Sequence, residues 1–332
     1  MQQINWGMIG CGDVTELKSG PAFNKVPDSK LVAVMRRDAV KAADYAVRHS
    51  VPKWYSNAND LINDPEINAI YIATPPAFHL EYAEAILKAG KFVYVEKPMT
   101  VDLASAKKLQ KLVDKYKGKL SLAHYRRGQT QFIEIKKLIN EGCLGEIKLV
   151  NLRFLRRNMT PDKMTISKYA WRVDPAISGG GLFHDIAPHQ LDMLVHIFGK
   201  VKLANGLSAG TNKLYSAADN VSGNMLFENG VFFNGIWCFD IGDNEFEDYC
   251  EIIGEKGKME FAFFDRQDVT ITKDGKSEIL PFTKPVHAQQ PLIEKIVNYF
   301  LDRGENPCSV DDGVVVMELM EKFTSIPAHS NK

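Results

Sequence analysis

With 332 residues the chain is long enough for two domains, and 45% hydrophobic residues describe a globular protein with a sizeable core. Lysine and arginine total 41, as do aspartate and glutamate, so the formal net charge of zero removes any global electrostatic case for nucleic acid, and no apolar run approaches a membrane span. The five cysteines are odd in number and lack close pair spacing, which excludes a disulfide scaffold or a metal knot. They fit a reducing cytoplasm, as does an N-terminus that enters a strand pattern without signal-peptide features.

Residues 4–9 read as a buried strand, followed by Gly10-Cys11-Gly12-Asp13-Val14-Thr15 and a short helical stretch to residue 17. A strand, a tight glycine turn and a helix present backbone N–H groups to a phosphate. Gly10 and Gly12 permit the turn and the close approach of a pyrophosphate, while Thr15 stands where the dinucleotide fingerprint has glycine or alanine. Alone, the segment serves a dinucleotide or an ordinary strand-to-helix turn equally well. A second strand, 31–35, ends in Arg36-Arg37-Asp38. An acid at this strand end would bind the adenosine ribose, whereas arginine suits the 2′-phosphate of NADP. Arg36 occupies the position, so the expectation is NADP over NAD; Asp38 as ribose ligand in a shifted register, or a merely solvated loop, are the competing readings.

Helices at 39–48, 59–63, 76–89 and 103–116 alternate with strands at 53–55, 69–73, 91–95 and 120–124. The alternation implies a doubly wound parallel sheet whose ligands gather at the carboxyl ends of its strands. The loops Thr74-Pro75-Pro76-Ala77-Phe78-His79 and Glu96-Lys97-Pro98 belong to that edge. A lysine there can hydrogen-bond a substrate hydroxyl and favour its alkoxide during hydride loss; the plain alternative is a surface lysine paired with Glu96.

Past Tyr125-Arg126-Arg127 the alternation fades. After a helix at 130–140 and a long strand at 146–156, Ser178-Gly179-Gly180-Gly181 leads into a helical run ended by Gly199. On that run Asp185, His189, Asp192 and His196 share one stripe, which is either a solvated polar face or a proton-handling surface. Pro188 implies that the helix begins near Asp185 or bends there. Asp192 and His196 read as packing or pairing within the domain, and no metal site is expected. Arg156, Arg157, Lys163 and Lys168, between 153 and 169, either favour an acidic or phosphorylated substrate or cover the cofactor. From residue 202 on, strands come in pairs: 221–227 and 231–239 about Asn229-Gly230, 249–253 and 258–264, 269–273 and 277–281 about Asp274-Gly275. They predict an open, largely antiparallel sheet with one face on helices; the other, carrying Phe232, Ile236 and Phe239, needs a partner subunit. Helices at 292–301 and 311–323 close the chain. The expected domains are thus 1–123, which binds NAD(P), and 124–332, an α+β domain for substrate and oligomerisation, its closing helices free to pack back on the first.

Gly7-Met8-Ile9-Gly10-Cys11-Gly12-Asp13, residues 73–79, Glu96-Lys97-Pro98, Tyr125-Arg126, Leu144-Gly145-Glu146-Ile147 and Gly179-Gly180-Gly181 through Asp185, His189 and Asp192 together resemble the Gfo/Idh/MocA oxidoreductase family. Order and spacing agree across nearly the whole chain. The resemblance implies an N-terminal Rossmann domain and a C-terminal α/β domain whose open sheet forms a homodimer or homotetramer. It also implies hydride transfer between NAD(P) and a sugar, cyclitol or related polyol. Position by position it implies a catalytic lysine at Lys97 and active-site acid and histidine at Asp185 and His189. The glycine loop (Gly10, Gly12, Asp13, Val14), Thr74, Pro75, His79 and Glu96 match its cofactor-lining positions, and Lys97 joins them; Arg36 and Arg37 are added from the strand end, where Arg36, like Thr15, departs from the plainest NAD-binding pattern. Tyr125 is expected on the substrate side, and Trp171-Arg172 resembles a segment that reaches cofactor or substrate. Alcohol oxidation needs a base for the hydroxyl proton. His189 is the expected acid/base, Lys97 polarises the oxygen and Asp185 orients them; exchanging the first two roles stays open. A redox-neutral glycosidase using bound NAD and a non-catalytic sugar or nucleotide sensor are the competing functions.

Overall fold

Each early apolar run is a strand of one parallel sheet: β1 (Ile4–Ile9), β2 (Ser29–Met35), β3 (Lys53–Tyr55), β4 (Ala69–Ile72), β5 (Phe92–Val95) and β6 (Leu120–Leu122). Between them run α1 (Asp13–Leu17), α2 (Ala39–Arg48), α3 (Ala58–Asn63), α4 (His79–Lys88) and α5 (Leu103–Tyr116). Short polar side chains start three of these helices: Asp38, Asn57 and Asp102 each accept a main-chain N–H from the first turn. The strand order is β3-β2-β1-β4-β5-β6. It reverses direction between β1 and β4, and a crevice for ligands opens outside the carboxyl ends of strands at such a switch point.

The computed structural model describes residues 2–211, 214–242 and 244–325. They form two compact units, one made of residues up to 129 together with 284–317, the other of 130–283 together with the chain from 318 on.

In the second unit α6 (Thr130–Asn140) precedes β7 (Ile147–Leu155), and the short helices α7 (Pro161–Thr165), α8 (Ser167–Ala170) and α9 (Pro175–Ser178) lead to α10 (Gly181–Phe198). Then follow β8 (Val201–Ala209), β9 (Asn220–Phe227), β10 (Phe232–Cys238), β11 (Glu247–Gly254), β12 (Gly257–Phe261), β13 (Asp268–Lys273) and β14 (Lys276–Pro281). These seven join β7 in the order β14-β13-β12-β11-β7-β10-β9-β8, antiparallel except for the parallel pair β7 and β10. α10 lies on one face: the Trp237 indole N–H donates to Gln190 Oε1 at 2.6 Å, and Phe183 meets Trp237 edge-on at 5.2 Å.

Two expectations need correction. α10 starts at Gly181, four residues before Asp185, and continues through Pro188 to Phe198. Proline removes one helical hydrogen bond, yet nearly every side chain of α10 is buried, and that packing outweighs the loss. The polar stripe is accordingly no solvated face, since His189 and Asp192 are buried. Second, Phe239 does not share a face with Phe232 and Ile236. It stands an odd number of residues from both, so the pleat sends it to the covered side, fully buried against Phe154 at 5.9 Å. Phe232 and Ile236 are exposed on the open face together with Leu203 and Leu207 of β8.

The closing helices are α11 (Gln290–Phe300) and α12 (Val310–Thr324). α11 completes the core of the first unit: Leu292, Ile293, Ile296, Val297 and Phe300 pack with Trp6, Phe23, Tyr71 and Tyr94. No helix among the described residues is long and apolar enough to cross a membrane.

Candidate active site

In the first unit the predicted cofactor residues collect where β1, β2, β4 and β5 end. Gly10 has φ +96°, and a Cβ there would sit 2.9 Å from the Ala73 carbonyl group and the Thr74 nitrogen, so only glycine lets the loops after β1 and β4 touch. At Gly12 a Cβ would meet only the Gly10 oxygen at 3.8 Å, which leaves that face of the loop clear. Asp13 is exposed at the start of α1 and Val14 is half-buried behind it. Thr15 is buried and its hydroxyl donates to the Gly12 carbonyl at 2.7 Å, which explains why this loop carries threonine at the third fingerprint position.

The turn after β2 separates its three charges. Arg36 turns back to the glycine loop, its Nη1 donating to the Cys11 carbonyl at 3.1 Å. Arg37 lies over the Phe78 ring at 5.4 Å. Asp38 caps α2 through the Lys41 N–H and pairs with the Lys41 amine at 3.1 Å; these contacts, the backbone N–H first, hold its carboxyl below the usual range. The acid is therefore committed to the helix, and Arg36 is the residue placed against the loop.

Thr74 follows β4, and its Oγ1 is buried with no hydrogen-bond partner among the described residues. Pro75 precedes a single 3-10 turn, Pro76–Phe78. His79 is fully buried: Nε2 lies 2.8 Å from the Thr74 oxygen, and Nδ1 3.1 and 3.2 Å from those of Pro98 and Met99, so the ring bridges the loops after β4 and β5. Burial lowers its pKa, with the three carbonyls opposing. Glu96, also buried, accepts the Lys97 main-chain N–H on Oε2 at 3.1 Å, while its Oε1 accepts from Tyr71 and from Gln289, each at 2.5 Å. Lys97 is half-buried, and its peptide bond to Pro98 is cis. Burial would raise the Tyr125 phenol, but the cations Arg126, Lys18 and Lys97 outweigh it and the net shift is downward.

In the second unit each glycine before α10 has its own steric reason. Gly179 and Gly181 have φ +93° and +77°, and a Cβ on Gly180 would clash with Nδ1 and Cε1 of the His184 ring. His184 itself is buried, and burial pushes its pKa down to about 4, so this imidazole is neutral near pH 7. Asp185 and His189 lie one turn apart on α10. The Arg172 Nε stands 3.4 Å from Asp185 Oδ2, and its guanidinium lies over Trp171 at 4.7 Å, so the predicted substrate-side pair is a clamp on the predicted acid. His189 is 5% exposed and faces the Phe264 ring edge-on at 5.6 Å. Asp248 fixes that phenylalanine by accepting the N–H groups of Phe263, Phe264 and Asp265. His196, further along, has its Nε2 3.0 Å from the Lys136 amine. Arg156, Arg157 and Lys163 are exposed, and the Lys168 side chain lies outside the described residues.

Sequence reasoning missed Tyr71, Gln289, Asp248 and Phe264. Gln289 stands in a Gln289-Gln290 pair ahead of α11, and nothing in that pair distinguishes the residue that reaches Glu96 from its neighbour.

Residues 4–124 match the family described as "Oxidoreductase family, NAD-binding Rossmann fold", and residues 132–260 the GFO/IDH/MocA C-terminal domain. A relative named Oxidoreductase P35, from Formosa agariphila, is 43% identical over 321 residues, 97% of this chain and 98% of that protein. The scyllo-inositol 2-dehydrogenase (NADP(+)) of Bacillus subtilis is 30% identical over 203 residues, 60% of this chain and 53% of that protein. Among solved structures, levoglucosan dehydrogenase in complex with NADH and levoglucosan superposes with a TM-score of 0.83 at 21% identity, covering 97% of this chain and 96% of that one. At that identity the likeness shows the fold. The domain matches and the full-length relative together settle the assignment: the chain belongs to the Gfo/Idh/MocA oxidoreductase family.

Proposed function

We propose that the protein moves a hydride between NADP, in preference to NAD, and a secondary alcohol or ketone of a sugar, cyclitol or related polyol. The observation that carries this reading is the carboxyl edge of the parallel sheet, which a clear-faced glycine loop, a buried Thr74 hydroxyl with no partner among the described residues, and the Arg36 guanidinium share with a lysine whose main chain is bonded to a buried carboxylate. These residues fit a dinucleotide. Gly10, Gly12, Asp13 and Val14 would receive its pyrophosphate, Arg36 and Arg37 a 2′-phosphate, and Thr74, Pro75, His79 and Glu96 would frame the nicotinamide end. The activities in the names of the scyllo-inositol 2-dehydrogenase and of the 1,5-anhydro-D-fructose reductase of Ensifer adhaerens, 26% identical over 229 residues, support a cyclitol or anhydrosugar substrate.

When bound, the nicotinamide supplies the hydride acceptor or donor. In the oxidative direction His189 takes the hydroxyl proton as the carbinol carbon loses its hydride and the carbonyl forms. Lys97 hydrogen-bonds the same oxygen and stabilises its developing negative charge. Asp185, its rotamer set by Arg172, accepts a hydrogen bond from a neighbouring hydroxyl and fixes which carbon reacts. Phe264, anchored by Asp248, covers the imidazole edge and excludes water from it.

Arg36→Asp tests the cofactor choice. A charge-assisted bond contributes about 1.5–3 kcal/mol, so NADPH affinity should fall about 10- to 100-fold while NADH affinity holds or improves. Equal loss for both nucleotides in a fluorescence titration would refute the 2′-phosphate role.

We also propose that the open face of the eight-stranded sheet joins copies of the chain as a homodimer or homotetramer. Leu203 and Leu207 on β8 and Phe232 and Ile236 on β10, the two strands that flank β9, are all 43% exposed or more. Between them Asn205, Asn224, Asn234 and Asn151 stand in register across β8, β9, β10 and β7, a row of amides able to donate and accept against an identical row. Ile236→Asp would bury two unpaired carboxylates per symmetric interface and should convert the oligomer to monomer in light scattering. An unchanged mass would exclude this face.

A further inference from the structure

We infer that Gln289 is a positioning residue for Lys97, acting through Glu96 and tying the lysine's loop to the end of the helix that follows the glycine turn; the inference rests on the role proposed for Lys97. Gln289 stands just before α11, buried at 1% exposure. Its Nε2 donates to Glu96 Oε1 at 2.5 Å while its Oε1 accepts from the Tyr94 hydroxyl at 2.7 Å. The Tyr71 hydroxyl donates to the same Glu96 oxygen at 2.5 Å. The second oxygen of Glu96 is thereby aimed at the main-chain N–H of Lys97, 3.1 Å away. At its other end Gln289 donates its own main-chain N–H to the Lys18 carbonyl at 3.0 Å, and the His287 ring meets the Leu17 carbonyl at 2.7 Å. One residue therefore holds α1, which follows the glycine turn, and the catalytic loop in a single register.

The chemistry selects an amide for this place. Glu96 needs donors and Tyr94 needs an acceptor, and glutamine supplies both without charge. Tyr71 and Tyr94 are pushed well above the usual phenol range, by burial first and by the Glu96 charge second, so both remain donors throughout any assay window. The other titratable groups facing the cluster are His79, within the field of Glu96, Cys308, within that of Tyr94, and Lys97 itself. A carboxylate held by two donors on one oxygen has little rotational freedom, and loss of either donor lets it swing and carries the Lys97 main chain with it.

The test compares Gln289→Met and Gln289→Glu in the full-length protein, using the fastest substrate among scyllo-inositol, myo-inositol, levoglucosan and 1,5-anhydro-D-fructose, with thermal unfolding recorded for each variant. Gln289→Met keeps the length but neither donates nor accepts as an amide does; its kcat should fall about 10- to 100-fold at every pH with nucleotide Kd within about threefold. Gln289→Glu places two buried carboxylates within hydrogen-bond reach, which share a proton only as the pH falls. Its kcat relative to the parent should match the methionine variant at alkaline pH and recover towards acid, where the protonated carboxyl donates as the amide did. A merely structural role would lower stability in both variants without that acid recovery. If Gln289→Met does not fold, Tyr71→Phe removes the other donor to the same oxygen and should show the same loss of kcat. The inference is overturned if the methionine variant keeps the parent's kcat and pH profile while Lys97→Ala is inactive. A fully active Lys97→Ala would instead bring down the role proposed for the lysine.

Discussion

Lys97→Ala should lower kcat by about 10²- to 10⁴-fold and leave nicotinamide nucleotide affinity within a few-fold of the parent. The lysine follows β5 at the carboxyl edge of the parallel sheet, and its main chain is fixed by the Glu96 carboxylate, so the loss would come from the amine and not from a displaced loop. The stabilisation it offers is needed most where the substrate oxygen is most negative, which places the effect in kcat more than in KM. Lys97→Arg should rescue poorly, because a planar fork cannot replace a compact ammonium at one oxygen. A kcat within threefold of the parent in Lys97→Ala would remove the lysine from the chemistry.

Gly10→Ala should destabilise the protein by about 2–4 kcal/mol and weaken nucleotide binding beyond detection. Two costs add. The residue sits at φ +96°, where a side chain is strained, and its Cβ would lie 2.9 Å from backbone atoms of Ala73 and Thr74 that no rotamer change can move. The loops after β1 and β4 would have to part, opening the crevice they frame. Gly12→Ala provides the contrast, since φ is −126° and the new methyl would meet only an oxygen at 3.8 Å. That variant should keep its Tm while losing nucleotide affinity, because the methyl occupies the space a pyrophosphate needs. Equal Tm losses in the two variants, measured by calorimetry, would contradict the distinction.

What could be read from the chain in advance follows the range of the interactions involved. The parallel sheet, the hairpins from Val221 on and the strand-end loops rest on periodicity and turn chemistry over a few residues and are visible in the sequence, whereas β8 and the short helices α7 to α9, whose segments carry no such pattern, are not. The extent of α10 was not, because the penalty of Pro188 is local whereas the burial that offsets it comes from a sheet formed by later strands. Hydrophobicity alone assigns Phe239 to the open face; its odd spacing from Phe232 is the better guide to its burial. Within the candidate site, Lys97, Asp185 and His189 stand in recognisable motifs, but the residues around them are remote in sequence. Gln289 is 193 positions from Glu96, and Asp248 is 16 from the Phe264 nitrogen it holds. No pattern along the chain predicts such pairs.

The most direct measurement is a fluorescence titration of the purified protein with NADPH and NADH, followed by a panel of cyclitols, anhydrosugars and ketoses read at the nicotinamide absorbance. Tighter binding of NADPH, and a net absorbance change with at least one substrate that disappears in Lys97→Ala, is the predicted result. Nucleotide binding with release of a leaving group and no net absorbance change would point to redox-neutral cleavage of a glycoside, and failure to bind either nucleotide would contradict an oxidoreductase role.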